Sequence, residues 1–289
     1  MPTPPPALPA FAGLVPPADG RPWVMGIVNV TPDSFSDPGV HFDSGRAIAA
    51  GLRMRDAGAD LIDVGGESTR PGAADLSITD EVARIVPVVR ALTDAGAVVS
   101  IDTRHTDVMR VALDAGARIV NDVSALRDDP QALPLIAARG CPVILMYRRG
   151  SAATGYADAS AGETLAAAAR FLAERRDICV AAGVQRSNIA IDPGVGFVGG
   201  APADNLALIA GVATLAALGQ PVVIGASRKR FVGTISDEPI AGQRLGGSVA
   251  LALAAAARGA AIVRVHDVRE TVQALKAQAA LAAFERGSK

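Results

Sequence analysis

Short apolar runs and amphipathic stretches alternate along most of the chain. Three segments share the same order of a helix end, a glycine, an apolar run and a polar residue: DAGADLIDVG (56–65), DAGAVVSIDT (94–103) and DAGARIVNDV (114–123). Looser copies of this unit are ARGCPVILMY (138–147), AAGVQRSNIAIDPG (181–194), ALGQPVVIGASRK (217–229) and ARGAAIVRVHD (258–267). The glycine suits the left-handed conformation just past a helix, and the run after it is apolar on both faces, as in a buried parallel strand.

With an opening strand at 23–28, these units predict eight strands. Helical patterns lie between and after them, at about 43–57, 78–95, 105–115, 130–139, 160–183, 203–218, 240–258 and 267–284. Strands that alternate with helices indicate right-handed crossovers and a parallel sheet. We therefore predict an α/β protein with a single (β/α)8 TIM barrel over residues 23–286. An open doubly wound sheet is the alternative, but no Gly-x-Gly-x-x-Gly follows the first strand.

Residues 1–22 are proline-rich and lack the basic start of a signal peptide, so they are predicted to form an irregular arm. Residues 205–227 carry no charge, but Gly219 and Pro221 divide them into a helix and a strand, which argues against a membrane span. Cys141 and Cys179 lie in apolar runs and are predicted to be buried free thiols in a reducing compartment. We expect a cytoplasmic protein.

The net charge of −1 provides no field that would attract nucleic acid or an anionic membrane. The chemistry is instead concentrated where the apolar runs end. The residues there are Asn29, Asp63, Asp102, Asn121, Met146, Asp192, Ser227 to Lys229, Arg264 and His266. A single Asp or Asn at such a place is by default a helix cap. Polar groups at seven of eight strand ends instead predict a cavity at the carboxyl rim of the barrel.

The types of side chain indicate the ligand. Asp102, Asn121 and Asp192 offer acceptors for a flat heterocycle with amino and ring N–H donors. Lys229, Arg264 and His266 follow the last two strands, where this fold often binds phosphate. Asn29, with Asp33 or Asp37, could hold a hard cation such as Mg²⁺.

Each motif also has an interpretation without function. SRKRF alone is more often a solvated basic patch, and the glycines of GGESTRPG and DPGVGF could serve turns only. His41, His105 and His266 could each be structural. The three histidines and two cysteines match no zinc-ligand spacing.

The motifs together resemble the dihydropteroate synthase family of pterin-binding TIM barrels. The matching segments are MGIVNVTPDSFSD, GADLIDVGGESTRPGA, IDTRHTDVMRVAL, NDVSALRDD, DPGVGF, GASRKRF and RVHDV, in the order of the family and spanning residues 25 to about 275. The resemblance implies that (7,8-dihydropterin-6-yl)methyl diphosphate and 4-aminobenzoate form dihydropteroate and pyrophosphate. It also implies Mg²⁺ as the cofactor, a homodimer and an enzyme of the kind that sulfonamides, as mimics of aminobenzoate, target.

The resemblance assigns roles to particular residues. Those implied to bind pterin are Asp102, Asn121, Met146, Asp192, Gly225 and Lys229. Those implied to bind diphosphate are Asn29, through Mg²⁺, with Arg264 and His266. Those implied to bind aminobenzoate are Thr69, Arg70, Pro71, Phe197, Lys229 and Arg230. Two loops are implied to close over the site, carrying Asp33, Phe35, Ser36 and Asp37 in the first and Thr69, Arg70 and Pro71 in the second. The implied catalytic set is Asp37, Arg70, Asp102, Asp192, Lys229, Arg264 and His266.

The chain departs from the family pattern at three places. Tyr147-Arg148-Arg149 stands where a histidine usually follows the methionine, Val198-Gly199-Gly200 where a small residue and a lysine are usual, and Pro38 replaces a glycine. The second departure is near the implied aminobenzoate pocket. Two alternative functions are a pterin-dependent methyltransferase, which would not need NVTPDSFSD or SRKRF, and a non-catalytic pterin-binding paralogue, which Asn29, Arg70, Lys229 and Arg264 disfavour.

Overall fold

The computed structural model describes residues 11–30, 44–67, 76–151, 155–156, 161–199 and 201–287. Within them, eight parallel strands form one sheet in the order β8-β5-β4-β3-β2-β1-β10-β9. The sheet closes on itself because Ile191 in β8 forms a parallel bridge with Val222, just before β9. The predicted (β/α)8 barrel is confirmed.

Ten strands are described in total. They are β1 (Trp23–Asn29), β2 (Leu61–Gly65), β3 (Val99–Asp102), β4 (Ile119–Asp122), β5 (Val143–Met146), β6 (Gly150–Ser151), β7 (Gly155–Tyr156), β8 (Ile189–Asp192), β9 (Val223–Ile224) and β10 (Ile262–Val265). β6 and β7 form a separate antiparallel hairpin, which the sequence pattern did not predict. Strands of two residues are too short to show a periodic pattern.

The helices surround the barrel. They are α1 (Ser44–Asp56), α2 (Ile78–Asp94), α3 (Thr106–Asp114), α4 (Ala132–Arg139), α5 (Ala161–Ala181), α6 (Pro202–Ala210), α7 (Val212–Ala216), α8 (Arg230–Ile235), α9 (Leu245–Ala256) and α10 (Val268–Gly287). The seven glycines predicted to end helices, Gly58, Gly96, Gly116, Gly140, Gly183, Gly219 and Gly259, all have a positive φ.

Two predicted helices differ from the structure. The segment predicted as one helix at 203–218 is divided into α6 and α7 at Gly211. Leu165 of α5 lies so close that a Cβ on Gly211 would come within 2.4 Å of its Cδ2. The segment predicted at 240–258 starts with a 3-10 turn, Ala241–Gln243, and α9 begins only at Leu245. The short helix α8 was not predicted from the pattern.

The two ends of the barrel are built differently. The strand starts contribute a small apolar cluster in which Trp23, Leu61, Ile119 and Ile262 are almost completely buried. Phe11, from the predicted arm, joins this cluster with 1% of its surface exposed. Residues 11–22 contain no helix or strand, yet they cover the amino-terminal end of the barrel. The opposite, carboxyl end carries the polar residues.

No helix among the described residues combines the length and the apolar character needed to cross a membrane.

Candidate active site

Four side chains from four strands meet in one hydrogen-bonded group at the carboxyl rim. The Arg264 guanidinium donates through Nε to Asp63 Oδ2 and through Nη2 to Asp102 Oδ2, both at 2.7 Å. The Asn121 amide donates to the same Asp63 oxygen at 3.0 Å. Register explains the meeting, because Asp63 is opposite Ser100 on β3 and Asp102 is opposite Asn121 on β4. The predicted convergence of Asp102, Asn121 and Arg264 is therefore observed.

Burial controls the charge of this group. Desolvation raises the pKa of Asp102 to about 7, although the Arg264 cation opposes the shift. Burial alone would lower the pKa of Arg264, but the carboxylates of Asp63 and Asp102 outweigh it and raise that pKa. Asp63 is fully buried, and its Oδ1 atom has no hydrogen-bond partner among the described residues. Arg264 is thus the cation that compensates for a buried carboxylate.

Asp192, at the end of β8, and Lys229, which follows β9, form a second charged pair at the same rim. Desolvation raises the pKa of Asp192, while the Lys229 ammonium and the Gly194 amide, which donates to Asp192 Oδ1 at 2.7 Å, oppose the shift. Desolvation lowers the pKa of Lys229 to about 8, although the Asp192 carboxylate raises it. Arg264 acts on both groups electrostatically. The two charged pairs therefore lie close enough at the rim to interact electrostatically.

The segment 194–199, hereafter the Phe197 loop, is held by the side chains of Lys229 and Asn205. Lys229 Nζ donates to Val195 O and lies 4.6 Å from the centre of the Phe197 ring. The Asn205 side chain of α6 accepts from Gly196 N at 2.5 Å. Gly196 has a φ of +88°, and a Cβ there would meet Lys229 Cδ at 2.5 Å. Glycine is therefore required for Lys229 to lie across the loop.

His266 is a neutral group in the free protein. Desolvation and the nearby Arg264 cation lower its pKa to about 3. The Ser227 hydroxyl accepts from His266 N at 3.1 Å and lies 3.0 Å from His266 Nδ1. If Ser227 donates its proton to Nδ1, the imidazole carries its hydrogen on Nε2. His266 can thus offer one N–H as a neutral donor.

Arg228 adopts an unusual backbone conformation between Ser227 and Lys229. Its φ is +59°, in the left-handed region that a non-glycine residue rarely occupies. The structure fixes this conformation because Ser248 Oγ accepts from Arg228 N at 2.9 Å and Arg244 Nη1 donates to Arg228 O at 2.9 Å. Strained backbone of this kind is often found at functional sites. Here the residue next to it is Lys229.

The other predicted residues within the described chain also lie at this rim or beside it. Asn29 ends β1, half-buried, and is paired with Gly65, which is next to Asp102 in the sheet. Met146 ends β5 opposite Asp192 and is 4% exposed. A Cβ on Gly225 would lie 3.7 Å from Arg264 Cβ and 4.0 Å from Lys229 Nζ. Arg230 begins α8 and is exposed.

Several predicted residues lie outside the described residues, so their roles stay predictions. They are Asp33, Phe35, Ser36, Asp37, Pro38, Thr69, Arg70, Pro71 and Gly200.

A network of ion pairs lies beside the rim, and the sequence pattern did not predict it. Glu67 accepts two hydrogen bonds of 3.1 Å from Arg104, and the fully buried Glu81 accepts one of 2.8 Å from His105 Nδ1. The hydrogen bond to Glu81 raises the pKa of His105, against the effect of burial. Ligand atoms of Glu67, Glu81 and His105 all lie within 4.8 Å of one another. Arg104 and His105 already balance the two carboxylates, so we interpret the cluster as two neighbouring ion pairs.

Comparisons with known proteins identify the family. The sequence profile of the pterin binding enzymes matches residues 25–266. The dihydropteroate synthase of Escherichia coli strain K12 is 41% identical over 267 residues, which cover 92% of this chain and 94% of that protein. A probable bifunctional folylpolyglutamate synthase/dihydropteroate synthase of Haloferax volcanii is 42% identical over 262 residues, 89% of this chain. The aligned part is only 31% of that longer protein.

Solved structures of similar proteins have the same fold. The dihydropteroate synthase of Xanthomonas albilineans with 4-aminobenzoic acid has a TM-score of 0.87 and 44% identity, covering 96% of this chain and 99% of that one. The Yersinia pestis dihydropteroate synthase with a sulfonamide drug complex has a TM-score of 0.82 and 41% identity, covering 93% and 95% of the two chains. The barrel and its connections therefore follow the architecture of these enzymes.

Proposed function

We propose how this chain, which belongs to the dihydropteroate synthases of the pterin-binding enzyme family, carries out its reaction at the barrel rim. The enzyme condenses (7,8-dihydropterin-6-yl)methyl diphosphate with 4-aminobenzoate to give 7,8-dihydropteroate and pyrophosphate. It is a transferase of the pterin-methyl group in folate biosynthesis. The observation that supports this site most strongly is that two buried, electrostatically interacting charged pairs, Asp102 with Arg264 and Asp192 with Lys229, lie at one rim of the barrel.

The pterin ring would lie between these pairs. Its amino and ring N–H groups match the Asp192 carboxylate, which can accept two parallel hydrogen bonds, and the Asn121 amide, which can accept and donate. Asp102 and Lys229 complete the polar contacts, and the apolar Met146 side chain packs against the ring. Gly225 leaves the space beside Arg264 and Lys229 open. In this arrangement the carboxylates would also stabilise positive charge on the ring.

The diphosphate would lie toward β1 and β10, near Arg264, His266 and Asn29. Arg264 contributes a permanent cation and His266 a neutral N–H donor, so we assign charge neutralisation mainly to Arg264. Asn29 is half-buried at its strand end, and its amide oxygen is a hard ligand. Mg²⁺ commonly binds through one or two protein oxygens together with substrate phosphates, so the residues present fit Mg²⁺ held by Asn29 and the diphosphate. When bound, Mg²⁺ would stabilise charge on the phosphate oxygens.

The protein itself forms no covalent bond with either substrate. The bond between the pterin methylene carbon and the diphosphate oxygen breaks, and both electrons leave with the diphosphate. Asp102 and Asp192 stabilise the cation that remains, while Arg264 stabilises the departing charge. The aminobenzoate nitrogen then forms the new C–N bond and loses one proton to the released pyrophosphate or to water. Positioning and electrostatics are therefore the contributions of this chain.

The aminobenzoate pocket would lie outside the pterin, against Phe197, Lys229 and Arg230. The exposed Arg230 at the start of α8 can attract the aminobenzoate carboxylate. We assign Thr69, Arg70 and Pro71 to the same pocket, and Asp37 and Arg70 to closing loops that exclude water during the reaction. We expect a sulfonamide to compete with aminobenzoate for this pocket; the Yersinia pestis dihydropteroate synthase has been solved with a sulfonamide drug complex.

Pyrophosphate release tests the proposal. We expect release only when the pterin diphosphate, 4-aminobenzoate and Mg²⁺ are all present, and we expect dihydropteroate in equal amount. A non-catalytic pterin-binding protein would instead be stabilised thermally by pterin without turnover. A methyltransferase would release no pyrophosphate from these substrates. Either result would reject the proposed reaction.

Two further proposals concern the state of the enzyme. A homodimer is supported by the exposed apolar side chains of α10, where Leu281 is 60% and Phe284 is 73% exposed. A monomer mass in light scattering would reject it. A cytoplasmic location is supported by the thiols, because Cys141 and Cys179 are both free, although only Cys179 is buried as predicted and Cys141 is half-buried. Desolvation raises the pKa of each to about 11. Such thiols need no oxidising compartment.

A further inference from the structure

Arg149 lies at one of the places where the chain departs from the family pattern, directly before the β6–β7 hairpin. Its backbone N–H donates to Phe197 O at 3.0 Å, and its side-chain Nη1 donates to Val198 O at 3.3 Å. The arginine thus holds the Phe197 loop by two consecutive carbonyl groups. This contact comes from the segment between β5 and β6, whereas Lys229 holds the loop from the start of α8 and Asn205 holds it from α6.

The other end of the guanidinium is anchored in a buried polar chain. Arg149 Nη2 donates to the Thr164 hydroxyl at 3.3 Å, and that hydroxyl donates to Asp204 Oδ1. Thr164 is fully buried and Asp204 is 1% exposed. A planar guanidinium can bind acceptors on two elements at once, which a single ammonium does less well. Arg149 therefore ties the Phe197 loop to the first turns of α5 and α6.

The Asp192 end of the site is held by backbone contacts rather than by the Arg149 side chain. Gly194, the first residue of the Phe197 loop, donates its N–H to Asp192 Oδ1, and the Asp192 carbonyl accepts from Tyr147 N at 2.9 Å. The side chain of Arg149 instead acts beside Phe197, the residue that we assign to the aminobenzoate pocket. Loss of the side chain should move the Phe197 ring while leaving the Asp192 carboxylate in place.

We propose that Arg149 is a positioning residue for aminobenzoate: through Val198 O and the Thr164–Asp204 pair it fixes the Phe197 loop against which that substrate binds. This inference rests on the proposed function. Arg149 itself contacts the loop and needs no contact with either substrate.

The test is steady-state kinetics and pterin calorimetry on Arg149→Met, with Arg148→Met as the matched control. Arg148 directs its guanidinium to Asp128, at 2.5 and 2.7 Å, rather than to the Phe197 loop. We expect Arg149→Met to raise the KM for 4-aminobenzoate about tenfold, the effect of losing one or two hydrogen bonds. The Kd for pterin should stay within about twofold of wild type, as should both constants in Arg148→Met.

A double-mutant cycle distinguishes positioning from general loosening. Thr164→Val removes the hydroxyl anchor and should raise the same KM by about threefold. Because both residues act through one contact, Arg149→Met/Thr164→Val should be no worse than Arg149→Met alone. Additive effects, or equal weakening of pterin and aminobenzoate, would overturn the inference. If the wild type itself makes no dihydropteroate, the proposed function fails instead, and calorimetry then still reports whether the variant binds pterin normally.

Discussion

The two ends of the barrel use the same eight strands for opposite purposes. At the amino-terminal end, Phe11, Trp23 and their neighbours bury apolar surface, and Arg21 neutralises Asp60 in a salt bridge of 2.6 Å. At the carboxyl end, by contrast, the buried groups include the ionisable side chains of Asp63, Asp102, Asp192 and Lys229. The amino-terminal end, hereafter the closed end, contributes stability. The carboxyl end buries charges, which lowers the free energy of unfolding by an amount that ligand binding can offset.

Arg264 should be the clearest exception to this division between the two ends, because it should contribute both to turnover and to stability. Arg264→Met would reduce kcat on the order of 100- to 1000-fold, because the departing charge loses its fixed cation. It should also lower the free energy of unfolding by about 3–5 kcal/mol, because Asp63 is left buried and uncompensated. Adding Asp63→Asn should restore most of the stability but not the activity. Turnover and urea denaturation of both variants check this, and a stable, active Arg264→Met would contradict both roles.

Substitution of Phe11 should lower stability without changing activity, because Phe11 lies at the closed end. Phe11→Ala leaves a cavity under the strand starts and should cost about 3–5 kcal/mol in unfolding free energy. For the protein that remains folded, kcat and KM should change by less than about twofold, since sites this far apart act independently. Val15→Ala is the matched control, because Val15 is 83% exposed and should change stability by no more than about 0.5 kcal/mol. Loss of activity without loss of stability in Phe11→Ala would oppose the division.

Asp192 should show the reverse behaviour. Asp192→Asn keeps the acceptor for Gly194 N but removes the charge, so pterin affinity should fall by about 100-fold. Stability should be unchanged or increased, because desolvation already raises the pKa of this carboxyl and so disfavours its charged form. Calorimetry with a pterin ligand and thermal unfolding measure the two effects. An unchanged Kd would remove Asp192 from the pterin site.

The pH dependence of stability gives a smaller effect. The folded state raises the pKa of Asp102 to about 7 from 3.8, so the folded protein binds more protons in that window and loses stability as pH rises through it. The folded state lowers the pKa of Lys229 to about 8 from 10.5, so stability is regained as pH rises above 8. These two groups alone predict a minimum of stability between pH 7 and 8, where both are charged, while His266, whose pKa is lowered to about 3, opposes the Asp102 slope below about pH 6.5.

Substrate binding should be tightest where this minimum occurs, because pterin needs the Asp102 carboxylate and the Lys229 ammonium. Urea denaturation and pterin calorimetry from pH 5 to 9.5 test whether the stability minimum and the tightest pterin binding occur at the same pH. In Asp102→Asn the decline in stability toward pH 7 should become shallower, whereas the rise above pH 8 should persist. The same profile in the variant and the wild type would show that Asp102 does not titrate as the structure indicates.

The local sequence pattern was sufficient to predict the barrel and many of the residues at its rim. The unit of helix end, glycine and apolar run repeats, so strands and their carboxyl ends could be located, and with them Asp102, Asn121, Asp192 and Arg264. It was not sufficient for partnerships over long sequence distances. Arg264 with Asp63 and Arg104 with Glu67 are 201 and 37 residues apart, and nothing local indicates which partner a buried charge will find. The apolar burial of Phe11 was hidden by the proline-rich composition around it.

The most direct test is a crystal structure of the enzyme with a pterin diphosphate analogue, 4-aminobenzoate and Mg²⁺. We predict the pterin ring within hydrogen-bonding distance of Asp192 and Asn121, with the diphosphate near Arg264 and Asn29. The closed end, including Phe11, should superpose on the free protein. A pterin ring bound away from Asp192 and Asn121, in a protein that turns over both substrates, would contradict the account.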